Sequence, residues 1–114
     1  MRVENSNAGI AVSGAGKVVI NRSVFAGNAA VGIESDGNTA EVTVNNSVSS
    51  NNGIGIQNGG GTPAIRLNNN DIAFNTTAFS GATQSFTNNR VTGNGALGTA
   101  PTPIGVTSNP TGLQ

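Results

Sequence analysis

Acid–base chemistry in this chain would have to come from a small and scattered set of carboxyl groups. The 114 residues include five acidic ones: Glu4, Glu34, Asp36, Glu41 and Asp71. Glycoside cleavage needs two carboxyl groups that face one bond, about 5–5.5 Å apart for retention or about 6.5–9.5 Å apart for inversion. Glu34 and Asp36 are two residues apart and could share a face. However, Asp36 precedes Gly37, which favours a turn aspartate over a catalytic one.

The residue types that are missing exclude other kinds of site. No histidine is available as a base for a serine nucleophile, and no cysteine supplies a thiolate for catalysis or zinc binding. Ser47, Ser49 and Ser50 are therefore interpreted as strand and turn residues. The glycine-rich stretch 58–61 lacks the lysine and the helix of a phosphate loop. We predict no catalytic residue, no metal site and no cofactor.

Charge and hydropathy argue against two classes of partner. The net charge is zero and the only aromatic residues are four phenylalanines, which does not support nucleic-acid binding. No apolar run approaches the ~20 residues that span a membrane. We therefore expect neither nucleic acid nor a membrane as partner.

A repeat of roughly two dozen residues must position the polar and charged side chains of this chain. Four apolar anchors, Ile20, Val44, Leu67 and Phe86, follow one another at intervals of 24, 23 and 19 residues. Such intervals are typical of solenoid repeats. Asparagines recur at fixed positions after the anchors: Asn28, Asn52, Asn75 and Asn94 further on, and Asn45 and Asn68 directly after.

Each repeat contains short segments that alternate between apolar and polar residues. Ile65 and Leu67 point one way and Arg66 the other, as in a strand with one buried face. Three strands per repeat predict one coil of a parallel β-helix, in which equivalent residues stack about 4.8 Å apart. Asparagine suits the corners, because it tolerates left-handed backbone angles and its amide can bond the amide one coil away. We predict an all-β parallel β-helix of about four coils, with the four anchors as a core column.

The chain is predicted to be one domain with two parts. Coils occupy residues 1–97, and an irregular tail over residues 98–114 contains three of the four prolines. This tail covers the last coil, docks on a neighbouring molecule or is loose, and its few apolar residues favour docking. Long connections at Ser35–Ala40 and Asn58–Pro63 are predicted to be loops on one edge.

Two other structures stay open. Asn-Gly pairs such as Asn52-Gly53 are also hairpin turns, so an antiparallel sandwich is an alternative. A hairpin array would recur every 8–12 residues or so, without the longer period. The other alternative is a flexible linker rich in asparagine and glycine, against which the regular spacing of the apolar residues argues.

Stacking of coils predicts which charged side chains pair. Glu41 occupies the position that Lys17 holds one coil earlier, so we expect an ion pair across neighbouring strands. Asp71 and Arg90 stand at equivalent positions in the next two coils and predict a second pair. Arg66 lies in a different column and forms no evident cluster.

The stretches Ile20–Asn28, Val44–Asn52 and Leu67–Asn75 resemble the repeats of right-handed parallel β-helix proteins of the pectate-lyase-like superfamily. The likeness covers about residues 2–97. The chain resembles in particular the C-terminal coils of uncharacterised bacterial β-helix repeat proteins. The resemblance implies a right-handed solenoid with an extracellular or cell-surface location.

The resemblance also implies what an active member would need. Enzymes of this superfamily act on acidic polysaccharides, hold calcium with several acidic residues and place an arginine or lysine near the substrate. On that reading Asp71 and Arg90 form a weak alternative site, a calcium ligand beside a catalytic arginine. Further carboxylates would then be needed in neighbouring coils, where Val24 and Val48 stand instead.

We therefore expect a non-catalytic structural or interaction module, a fragment of a surface or secreted bacterial β-helix protein. A polysaccharide-active enzyme, or its inactive remnant, is the alternative. The first coil begins in mid-repeat without a capping helix, which predicts a homo-oligomer through uncapped coil ends or apolar faces. Phe74 is expected to point outward as a surface patch or subunit contact, and weak glycan contacts through asparagines stay open.

Overall fold

The computed structural model describes residues 1–36, 39–60 and 64–104. In this part of the chain fifteen short strands follow one another, and successive strands belong in turn to three sheets. In chain order they are β1 (Arg2–Glu4), β2 (Ala8–Val12) and β3 (Lys17–Asn21); β4 (Val24–Ala26), β5 (Val31–Ser35) and β6 (Glu41–Asn45); β7 (Val48–Ser50), β8 (Ile54–Asn58) and β9 (Ala64–Asn68); β10 (Asp71–Ala73), β11 (Thr77–Ser80) and β12 (Gln84–Ser85); and β13 (Arg90–Thr92), β14 (Ala96–Gly98) and β15 (Thr102–Pro103).

Strands pair with their equivalents in the neighbouring coils and not with their neighbours in sequence. Sheet A is formed by β1, β4, β7, β10 and β13, sheet B by β2, β5, β8, β11 and β14, and sheet C by β3, β6, β9, β12 and β15. Strand pairs in all three sheets are parallel. The chain is thus a parallel β-solenoid of about four turns, which confirms the predicted fold and rules out the antiparallel sandwich.

Like residues stack into vertical files, as the repeat predicts. Ile20 is the register partner of Val44, and Val44 is the partner of Leu67. All three side chains are buried, whereas Val19, one position away and on the other face of sheet C, is 72% exposed. Period-two alternation in the sequence therefore translates directly into an inner and an outer face.

Phe86 does not belong to this file, so the fourth anchor was assigned wrongly. Ser85 is the register partner of Leu67, and Phe86 is half-buried. The cause is one extra residue at the corner that follows β12. Asn70 stands three positions after Leu67, but its stacking partner Asn89 stands four positions after Ser85.

Inside the solenoid, large and small side chains alternate in the file of sheet A, whereas the file of sheet B contains large side chains. In sheet A, Ser49 lies between Phe25 and Ile72, and all three are buried. In sheet B, Ile33 stacks on Ile56 and Ile56 stacks on Phe79. The alternation lets neighbouring coils interdigitate at the density typical of protein interiors.

The connections between sheets B and C vary in length, as the sequence predicts. Five residues separate β8 from β9, and three separate β11 from β12. This shortening reduces the repeat length in the last full coil. Residues 37–38 and 61–63, within the two predicted loops, lie outside the described residues.

The predicted boundary at residue 97 falls inside a strand. Residues Ala96–Gly98 form β14, and β15 pairs in parallel with β12. The coils therefore continue to Pro103, and prolines that suggested an irregular tail stand in or beside an edge strand, where proline is tolerated. Residues 105–114, the rest of the predicted tail, lie outside the described part of the chain.

The central file gives a direct test of the packing. Leu67→Ala is expected to lower the free energy of unfolding by about 2–5 kcal/mol, because it leaves a cavity between two coils. Urea unfolding followed by circular dichroism measures the change. Val19→Ala is the matched control in the same sheet and should stay within about 0.5 kcal/mol of the parent chain. Equal effects of the two substitutions would contradict the assigned file.

Candidate functional site

The most regular polar feature is a buried asparagine ladder at the corner between sheets A and B. Asn28, Asn52 and Asn75 are almost fully buried, and Asn94 follows them in the last coil. The side-chain Oδ1 of Asn52 accepts two hydrogen bonds from Asn28, one from its backbone N–H at 2.9 Å and one from the Nδ2 of Asn28 at 3.0 Å. The same pair of bonds joins Asn52 to Asn75 and Asn75 to Asn94. The structure thus confirms the predicted amide stacking at these four residues.

Each ladder asparagine also bonds the coil before it. Nδ2 of Asn52 donates to the carbonyl of Phe25 at 3.0 Å, and Nδ2 of Asn75 donates to the carbonyl of Ser49 at 3.0 Å. One amide therefore satisfies backbone groups of two neighbouring coils. The ladder holds the corners in register and supplies no free reactive group to solvent.

A second buried ladder, which the sequence reasoning missed, lies at the corner between sheets C and A. The backbone N–H of Ser23 donates to Ser47 Oγ at 3.1 Å, that of Ser47 to Asn70 Oδ1 at 2.9 Å, and that of Asn70 to Asn89 Oδ1 at 2.9 Å. Two serines are followed by two asparagines in this file, and the change of residue type hides the repeat from a search for identical residues. The shared signal is a side-chain acceptor at each position.

Exposed or half-buried asparagines form an outer ladder beside this second corner. Asn68 Nδ2 donates to Asn45 Oδ1 at 3.1 Å, and Asn88 Nδ2 donates to Asn68 Oδ1 at 2.7 Å. The stacking predicted for Asn45 and Asn68 is thus confirmed. In the adjacent file Asn46 and Asn69 adopt φ values of 51° and 53°, the left-handed conformation that asparagine tolerates.

Glycines in sheet B make room for the buried ladder. A Cβ atom placed on Gly55 would lie 2.8 Å from Asn75 Nδ2 and 2.8 Å from the carbonyl oxygen of Ala78. A Cβ atom on Gly32 would collide with Ser49 Oγ and lie 2.7 Å from Asn52 Nδ2. Glycine is required here by close approach, because the amides fill the space that a side chain would need.

Asp71 and Arg90 form the predicted ion pair on the outer face of sheet A. They are register partners, and Arg90 donates from Nη2 to Asp71 Oδ2 at 2.8 Å and from Nε to Oδ1. The hydrogen bonds to Asp71, and then its charge, raise the pKa of Arg90 above the ordinary value. On its other side Asp71 is paired with Val48, so the adjoining strand brings no second carboxylate to it.

Lys17 and Glu41 form the second predicted pair, but they are joined by a third residue. Glu41 lies 3.3 Å from Lys17 Nζ and accepts a hydrogen bond from Arg66 Nη2 at 3.1 Å. Hydrogen bonds from Arg66 and then Lys17 lower the pKa of Glu41 below its ordinary value. The interpretation of Arg66 as unclustered was wrong, because its long side chain reaches diagonally from its place opposite Thr43.

The remaining candidates, Glu34 and Asp36, both approach Gly59, where an added Cβ atom would lie 3.5 Å from Glu34 Oε2 and 2.8 Å from Asp36 Cβ. Glu34 stands opposite Gln57 and is half-buried, while Asp36 is exposed and its backbone N–H donates to the carbonyl of Val12. No group of three or more His, Cys, Asp or Glu residues that could hold a metal ion occurs in the described ranges. Ser47 and Ser49 donate to the carbonyls of Asn45 and Gly55, as strand and corner residues do.

Phe74 is exposed, as predicted, while the other described phenylalanines are buried or half-buried. Its side chain is 64% exposed, and its φ of 59° is unusual for an aromatic residue. The ring covers Gly93 in the next coil, where an added Cβ would lie 2.6 Å from Phe74 Cε1. Phe74 is thus a single apolar side chain on an otherwise polar corner.

Comparison of the chain with protein-family models, with curated proteins and with solved structures finds no match. Among residues 1–36, 39–60 and 64–104, no helix is long and apolar enough to cross a membrane. The fold and the side-chain geometry are therefore the basis for assigning a function.

The buried ladder predicts a strong difference between two asparagines. Asn52→Asp should lower the free energy of unfolding by about 3–5 kcal/mol at neutral pH, because a carboxylate cannot donate to Phe25 or Ser49 and its charge is buried. Burial raises the pKa of the new carboxyl group in the folded state. The loss should therefore shrink as the pH falls towards the ordinary aspartate pKa. Denaturant titrations across a pH series measure it.

Asn21→Asp is the control for this experiment. Asn21 is exposed and uses its Oδ1 only as an acceptor from Asn46 Nδ2 at 3.4 Å, a role that a carboxylate keeps. Its effect should stay within about 0.5 kcal/mol. An Asn52→Asp loss that is equally small, or that does not depend on pH, would show that the ladder is not buried and bonded as described.

The cluster of Lys17, Glu41 and Arg66 predicts a small pH-dependent contribution to the free energy of unfolding. Since the folded-state pKa of Glu41 is lowered, its pairing stabilises the protein above the unfolded-state pKa and is lost as the pH falls through the folded-state value. Glu41→Gln should thus lower Tm slightly at neutral pH, less so in high salt, and leave it unchanged in acid. Glu34→Gln serves as control, and an effect of Glu41→Gln that persists in acid would contradict this assignment.

Proposed function

We propose that the chain is a non-catalytic structural or interaction module of a surface or secreted bacterial protein, related in fold to the pectate-lyase-like superfamily. The repeats and the parallel solenoid support the relationship. The function is supported mainly by one observation, the pairing of seven of the ten charged side chains with one another. Arg2 and Glu4 pair at 2.7 Å. Glu41 pairs with Lys17 and Arg66, and Asp71 pairs with Arg90.

The Asp71–Arg90 pair argues most directly for a structural role. A catalytic arginine has to present its guanidinium to substrate, but Nε and Nη2 of Arg90 are both bonded to Asp71. A calcium site needs several oxygen ligands, and the file of Asp71 continues through Val48 and Val24. The pair therefore fits cross-strand stabilisation of sheet A better than calcium-assisted proton abstraction.

The proposed partners follow from the surfaces that the solenoid presents. Copies of the chain are proposed to associate through coil ends or outer faces, since unpaired strand edges are templates for strand addition. The outer ladder of Asn45, Asn68 and Asn88 offers amide groups at regular spacing for weak polar contacts with glycan hydroxyls. Phe74 adds one exposed apolar side chain at a different corner, the one between sheets A and B.

An assay on polygalacturonate separates this function from the enzymatic alternative. The chain is expected to release neither unsaturated product, measured by ultraviolet absorbance, nor reducing ends, with or without calcium. Calcium should not raise Tm, because Asp71 has no neighbouring carboxylate in its file. A calcium-dependent product that is lost in Arg90→Gln and retained in Lys17→Gln would contradict the proposal and establish Arg90 as catalytic.

A further inference from the structure

Among the described residues, the last strand of sheet C contains one proline and is preceded by another. Pro103 is the second residue of β15, and Pro101 stands directly before the strand. In the two preceding coils the residues in register with Pro103 are Ser85 and Leu67. Those residues have a neighbouring strand on both sides, whereas among residues 1–36, 39–60 and 64–104 the one strand that pairs with β15 is β12. Proline, which has no backbone N–H, thus stands in this file only in the terminal strand.

The hydrogen bonds of β15 show which of its edges the prolines face. The N–H of Thr102 donates to the carbonyl of Thr83 at 2.9 Å, and the N–H of Ile104 donates to the carbonyl of Ser85 at 2.9 Å. Both bonds point to the preceding coil. Since alternate residues of a strand direct their backbone groups to opposite edges, positions 101 and 103 face the open edge. Both donors that an added strand would use there are absent.

The end of the solenoid would otherwise be a favourable place for strand addition. Leu97 in β14 is 49% exposed, and Val91 in β13 is only partly buried. Apolar side chains beside an unpaired strand edge are the combination that promotes edge-to-edge association. In sheet A the edge strand β13 carries the exposed, charged Arg90, another feature that discourages pairing.

We propose that Pro101 and Pro103 close the C-terminal edge of sheet C against a second copy of the chain. β3, the first strand of sheet C, from another copy could otherwise extend the sheet at this edge in a head-to-tail manner, and such heterologous contacts lead to open-ended filaments. With this edge closed, association of copies is directed to the other end or to the outer faces. The inference concerns the edge alone and does not depend on the proposed function.

Restoring the donors tests the proposal. The double variant Pro101→Thr/Pro103→Thr regains two backbone N–H groups at the open edge and adds no apolar surface. Its association constant, measured by light scattering over a concentration series, should be roughly tenfold higher than that of the parent chain, as expected for two additional hydrogen bonds. Pro110→Thr, the same exchange outside the described residues, is the control and should leave association unchanged.

Three results would overturn the proposal. One is a folded double variant, with parental circular dichroism and Tm, that associates no more than the parent chain. Another is an equal gain in Pro110→Thr. The third comes from the parent chain itself and applies even if the variant does not fold: amides of Thr102 and Ile104 that exchange hydrogen as fast as an unstructured peptide. Slow exchange at both amides, and new protection at positions 101 and 103 in the associated variant, would support it.

Discussion

The structure depends on the stacking of a corner amide on the amide one coil away. Strand backbones find hydrogen-bond partners in the sheets, but the corners bury N–H groups that no ladder carbonyl faces. Asparagine side chains accept those groups from Asn28, Asn52 and Asn75. Since a buried, unpaired N–H costs about as much as a lost hydrogen bond, the corners could not close without these side chains. Each amide both donates and accepts, so the chain of bonds is continuous along the solenoid axis.

The unusual composition follows from this interaction. A solenoid whose interior includes files of asparagine and serine needs fewer apolar residues, and its core is a set of narrow files such as Ile20–Val44–Leu67. Glycines at 32 and 55 leave the space that the amides occupy. Charged residues lie outside, where stacking brings opposite charges together across neighbouring strands. The same geometry that forms the fold thus pairs Glu41 with Lys17 and Arg66, and Asp71 with Arg90.

Much of this could be predicted because a repeat converts sequence spacing into contact. The asparagine ladder, the file of three apolar anchors and the Asp71–Arg90 pair all follow from equal positions in successive coils. The errors arise where that rule is incomplete. An extra corner residue displaced Phe86, and a diagonal reach joined Arg66 to Glu41. The serine–asparagine ladder was hidden because its members differ in type. Prolines suggested the end of the coils, although an edge strand accommodates them.

Corner amides of the buried ladder are bonded as firmly as strand amides. Amide hydrogen exchange of the parent chain tests it most directly, because the backbone N–H groups of Asn28, Asn52 and Asn75 have only side-chain acceptors. We expect these three amides to exchange as slowly as those of Val44 and Leu67 in sheet C. Rapid exchange at the three corners, with slow exchange in the strands, would contradict it.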